Sequence, residues 1–93
     1  MPNWSEETVQ LVWEKGRITP NNGPAEWRKD ECGAWIARNM YGNRQSQYGW
    51  EIDHLMPVSK DGADDLGNLQ PLQWENNRYK SDNWPNWQCK KRS

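Results

Sequence analysis

The sequence has no phenylalanine, one histidine and two cysteines among its 93 residues. Each scarcity closes a route. A structural zinc site takes four Cys or His ligands. Cys32, Cys89 and His54 are too few for that, and no Cys-x-x-Cys pair exists. Chemistry that needs an imidazole titrating near neutral pH can draw only on His54. No charge of one sign dominates. Twelve Lys and Arg face thirteen Asp and Glu, a formal net charge of -1, so global charge gives no support for nucleic-acid binding. Apolar runs are short as well. Mean hydropathy is -1.30, and no stretch is long enough for a signal peptide or a membrane span. The chain therefore reads as soluble, intracellular and cytoplasmic. In such a reducing compartment the default for Cys32 and Cys89 is two free thiols, and a disulfide between them stays open.

What is present is aromatic. Eight Trp and three Tyr compensate for a hydrophobic share of 33%, since one buried Trp removes roughly 150–250 Å² from water. Packing rather than base stacking is the reading preferred for most of them. The length suits one small domain over residues 1–93. Charge is unevenly spread. Residues 76–93 hold Arg78, Lys80, Lys90, Lys91 and Arg92 against Asp82, whereas residues 1–14 hold Glu6, Glu7 and Glu14 and no base. A basic C-terminal segment, 81–93, can meet phosphates or stay a solvated tail.

Local chemistry places the elements. Ser5 suits a helix N-cap with Glu6 and Glu7 in the first turn. Trp4 and Val9 form a hydrophobic staple, and Lys15-Gly16 marks a stop. This predicts a helix over 6–15 with Val9, Val12 and Trp13 inward. Residues 19–25 are loop, and 27–40 hold no period long enough to choose strand or helix. Trp50 to His54 alternates large apolar and acidic residues, a half-buried strand that ends before Pro57. Leu69 to Leu72 is a second short strand, and Trp74 to Lys80 has helical spacing. The organisation is a lead-in, 1–49, and a strand–loop–strand–helix core, 50–80.

Residues suited to phosphodiester chemistry cluster in that core. Hydrolysis builds charge on oxygens, which a divalent cation can neutralise, and the attacking water must lose a proton. Asp53 offers a carboxylate and Asn77 a carbonyl oxygen, both hard ligands suited to Mg²⁺ or Mn²⁺. His54 is left as the base. Neighbours on a strand point to opposite faces, so Asp53 and His54 converge only if the strand ends there. Glu51 shares the face of Asp53 and reads slightly better as a solvated residue than as an accessory acid. Lys80, three residues after Asn77, lies one turn along and is placed to touch a phosphate, with Arg78 clamping from the side. Asn68, after Gly67, can bond the loop backbone.

Asp53-His54, Pro57-Val-Ser59 with Gly62, Asn68-Leu69-Gln70 and Asn77-Arg-Tyr-Lys80 together resemble the ββα-metal core of HNH endonucleases. Residues 28–49 are similar, less specifically, to the lead-in of small HNH proteins of bacteria and phages. The resemblance implies an α+β fold and a metal-dependent DNA endonuclease that leaves a 5′-phosphate and a 3′-hydroxyl. It implies that His54 activates water, Asp53 and Asn77 hold the cation, and Asn68 braces the loop that orients His54. The implied partner is DNA, double-stranded, with a homodimer left open. The last motif residue is Asn77 rather than His, which favours Mg²⁺ or Mn²⁺. The cysteine pairs many members use for zinc are missing, with Gln73 and Asn76 where the second pair would fall. Trp50 and Trp74 are then the candidates for holding the lobe. The alternative is a non-catalytic nucleic-acid-binding or assembly module of the same fold. A third, weaker reading is an interaction domain stapled by zinc through Cys32 and Cys89.

Overall fold

The computed structural model describes residues 4–93. It combines two short α-helices with two antiparallel hairpins, the mixed α and β class expected. Helix α1 spans Glu6–Trp13, and the side chain of Ser5 accepts from the Thr8 amide at its start. The helix ends at Trp13, before the Lys15-Gly16 stop, where Lys15 and Gly16 turn back onto Val12 and Trp13. Its inward face, Val9, Val12 and Trp13, meets Ile36, Trp50 and Leu69 in the core. The rings of Trp13 and Trp50 lie 5.3 Å apart and tilted. Trp50 is fully buried, and its indole N–H finds no acceptor among the described residues.

The ambiguous stretch 27–40 is a hairpin. Strand β1, Trp27–Lys29, pairs with β2, Trp35–Ala37, and a 3-10 turn follows over Arg38–Met40. Three residues per strand are too few to establish a period of two. The turn between them is specified by Asp30, whose Oδ1 accepts from the amides of Cys32 and Ala34, each at 2.9 Å. Gly33 supplies the left-handed residue, with φ +87.

Strand β3, Trp50–His54, pairs with β4, Leu69–Gln73, in a register that sets Asp53 opposite Gln70 and His54 opposite Leu69. Pro71 sits inside β4, where a two-stranded sheet leaves an outer edge that needs no donor. The connection over 55–68 is braced by Asn68. Its Nδ2 donates to the carbonyls of Met56 and Ala63, and its Oδ1 accepts from the Met56 amide. Gly62 is required there because a Cβ would collide with the Met56 carbonyl. Helix α2, Trp74–Lys80, follows β4 directly, with the Gln73 side chain as its cap.

Cys32 and Cys89 are joined by a disulfide. This corrects the expectation of two free thiols, and it excludes zinc held through those sulfurs. The pairing is tertiary: the hairpin turn carries Cys32, and the segment after α2 returns to it. A buried polar hub supports the same junction. Asp30 is 1% exposed, and its Oδ2 accepts from the Gln73 amide and from Asn76 Nδ2, each at 2.9 Å. Asn76 Oδ1 accepts in turn from the amides of Lys90 and Lys91. Gln73 and Asn76 thus close this junction with hydrogen bonds.

Candidate functional site

Strand alternation divides β3. Trp50 and Ile52 pack on the core, and His54 lies beside Trp4, ring centroids 5.7 Å apart. Glu51 and Asp53 point to α2, where Asn77 and Lys80 meet them. The strand stops at His54, and there the two faces open on one cleft of about 500 Å³. Glu51, Asp53, His54 and Asn77 line it, with Tyr41 and Trp4 on its rim.

Each acid has partners. Asp53 is 5% exposed. Its Oδ2 accepts from Gln70 Nε2 at 2.9 Å, and Oδ1 lies 3.3 Å from Lys80 Nζ. Burial pushes the Asp53 carboxyl above its ordinary value despite the opposing pull of Gln70 and Lys80. Glu51 is equally buried, not a solvated strand residue. Arg44 Nε and a terminal guanidinium nitrogen reach its two oxygens at 2.7 and 3.0 Å, and Asn77 Nδ2 donates to Oε1 at 2.8 Å. Burial works against the charge of Glu51, but the Arg44 and Asn77 hydrogen bonds and the Arg44 charge outweigh it and hold its carboxyl below the usual value. Tyr41 is pushed the other way, by burial and by the Glu51 charge, and keeps its proton.

The remaining residues of the motif have separate positions. His54 Nε2 is 2.7 Å from Asp64 Oδ1, and Nδ1 has no partner among the described residues. Asn68 stands outside the cleft lining and acts on the loop alone. Arg78 is exposed on α2 and lies over the Trp74 ring at 5.8 Å, while Arg44 lies over the same ring at 5.9 Å. Trp74 itself donates to the Ser46 carbonyl. Lys80 departs from the sequence expectation. It is 1% exposed and donates to the His54 carbonyl as well as facing Asp53. Its charge is spent inside, because a buried carboxylate needs a counter-charge, so it does not present an ammonium to a phosphate. Sequence reasoning missed Arg44 and Asp64, which come from loops without a period. Glu51 did carry a signal, its shared face with Asp53.

A model of the HNH endonuclease family matches residues 31–83. The chain belongs to this family. The match takes in the Asp30-dependent turn at Cys32, both strands of the second hairpin and α2, so the HNH region contains every residue of the cleft except Trp4. No curated protein and no solved structure matches the chain. Among the described residues no group of three or more His, Cys, Asp and Glu is arranged to hold a metal. An ion that keeps most of its water shell asks for less: Mg²⁺ is commonly bound through one or two carboxylates plus substrate phosphates. A carboxylate has about four lone-pair sites. Gln70 and Lys80 use one on each oxygen of Asp53, and Asn77 Oδ1 accepts no hydrogen bond among the described residues. That donor set fits a hard divalent cation. No helix among the described residues is long and apolar enough to cross a membrane.

Proposed function

We propose that the protein is a metal-dependent DNA endonuclease with a ββα-metal site built by β3, β4 and α2. The observation that carries the reading is the meeting of Asp53, His54 and Asn77 on one cleft, with the carbonyl end of Asn77 free to accept. Asp53 and Asn77 would hold the cation, Mg²⁺ or Mn²⁺. When bound, the cation supplies neutralisation of charge on the scissile phosphate.

The protein's own groups do the rest. His54 takes the proton of the attacking water at Nδ1, while Asp64 holds Nε2 and keeps the ring from turning. Asn68 fixes the loop that brings Asp64 to His54, so it is a positioning residue. Lys80 holds the carbonyl of His54 and balances Asp53, which keeps the strand end in place. Arg78 stands on the open side of α2, where it can meet a DNA backbone phosphate.

The test is nicking of a supercoiled plasmid with Mg²⁺ or Mn²⁺. His54→Ala should slow it by about 10²- to 10⁴-fold, the usual contribution of a general base. Equal rates in parent and variant would sink the mechanism. DNA binding without cleavage in any divalent metal would favour the non-catalytic module.

A further inference from the structure

Glu51 is a buried acid of the cleft that the proposed chemistry leaves unemployed. It is also the better-anchored of the two acids, gripped through both oxygens by Arg44. Its third hydrogen bond goes to the nitrogen of the Asn77 amide. An amide presents a donor at one end and an acceptor at the other. Turned by half a rotation, Asn77 would set oxygen against the Glu51 oxygen and aim its NH₂ at the cleft. A cation needs the opposite arrangement.

We propose that Glu51, pinned by Arg44, is a positioning residue that locks the Asn77 amide with Oδ1 toward the cleft and thereby sets metal affinity. This rests on the reading of Asn77 as a metal ligand. The polarity of the pair is what matters. An ionised carboxylate can only accept, so it admits one amide orientation. Arg44 can only donate, so it forbids Glu51 from turning donor itself. In Glu51→Gln a single oxygen is left for three donors: with that oxygen kept on Arg44 Nε, the NH₂ takes the place of Oε1, loses the terminal Arg44 nitrogen there, and draws the Asn77 amide round to receive it.

Binding of Mn²⁺ to the full chain without DNA, followed by loss of the free-ion paramagnetic signal, tests this in parent, Glu51→Gln, Asn77→Asp, the double variant and Asn77→Ala. Partners behind a ligand typically set 10- to 100-fold in metal affinity. Glu51→Gln should weaken binding by about that much. Asn77→Asp added to it restores an acceptor toward the introduced amide and an oxygen toward the ion, and should recover at least about tenfold more affinity than the same change in the parent. Unchanged binding in Glu51→Gln, or an equal gain from Asn77→Asp in both backgrounds, overturns the positioning role. Full binding in Asn77→Ala overturns the ligand reading beneath it as well. If Glu51→Gln fails to fold, the parent alone decides. The Asn77 side-chain amide, bonded to Glu51, should exchange its hydrogens slowly and stay slow when Mg²⁺ is added, and an amide that exchanges faster with Mg²⁺ would have left Glu51 to meet the ion, against the proposal.

Discussion

Asn76 and Asn77 are neighbours on α2, chemically identical and oppositely used. Asn76 is fully buried and every part of its amide is engaged: Nδ2 donates to Asp30 and to the Lys91 carbonyl, and Oδ1 accepts from Lys90 and Lys91. Asn77 is half-buried and engages its nitrogen alone, leaving Oδ1 at the cleft. A hub with all partners inside the chain stabilises; a group with one valence open is available to a ligand. The helix separates the two because adjacent residues project about 100° apart. One side of α2 is a staple and the other a site, and the two should fail in different ways.

The largest contrast concerns activity. Asn77→Ala should lower plasmid nicking by at least about 100-fold, the upper end of what even an outer partner of a metal contributes, with a melting temperature close to that of the parent. Asn76→Ala should do the reverse in kind, acting through stability. Loss of nicking in both variants at full thermal stability would erase the distinction.

Reduction of the Cys32–Cys89 bond comes next. The bond spans 57 residues of sequence, and a loop of that size corresponds to about 4 kcal/mol of denatured-state restriction. A small domain holds roughly 5–15 kcal/mol in all. A reductant should therefore lower the melting temperature markedly, whereas a chelator added to the protein as isolated should leave it unchanged. A melting temperature that falls with chelator and ignores reductant would place the staple at a metal after all. The cross-link also runs against the reducing compartment that the lack of a long apolar run suggested, in which two free thiols were the default.

A smaller effect belongs to Asn76 itself. Removing its amide takes a donor from buried Asp30 and orphans two backbone amides of the C-terminal segment, which water can partly recover. About 2–3 kcal/mol should be lost by urea unfolding, with the metal affinity of folded protein intact. Altered Mn²⁺ affinity would mean that the two sides of α2 are not independent.

Legibility followed the range of the interactions. Helix α1 was written locally, in Ser5, Trp4 and Val9. Strand β3 was written in the alternation of Trp50, Glu51, Ile52 and Asp53, and the spacing of Asp53, His54 and Asn77 pointed to the cleft they line, with Asn68 bracing the loop outside it. The first hairpin was not legible because its three-residue strands show no period, and Asp30, which shapes the turn through Cys32 and Ala34, is itself held by Gln73 and Asn76, more than forty residues away. The disulfide is equally long-range. Lys80 was misplaced for a related reason. Its spacing from Asn77 was right, but a lysine stem can carry its charge inward, and only the position of Asp53 decides that it does. Glu51 needed Arg44, a loop residue without a pattern, before its burial made sense.

The mildest contrast lies on the outer edge of the site, between the two guanidinium groups that share the Trp74 ring. Arg44 is committed to Glu51. Arg78 makes no ion pair among the described residues and is exposed. If DNA runs along α2, Arg78 is the cation free to neutralise a phosphate. Arg78→Ala should weaken DNA binding less than tenfold at physiological salt, about 1 kcal/mol, and uniformly across sequences. The dependence of log K on log salt should flatten by about one unit, the release of one counterion. Arg44→Ala should instead act through Glu51, changing Mn²⁺ affinity in the absence of DNA. An unchanged salt slope in Arg78→Ala would take that residue out of the DNA path and leave Asn77 as the one residue of α2 proposed to meet a ligand.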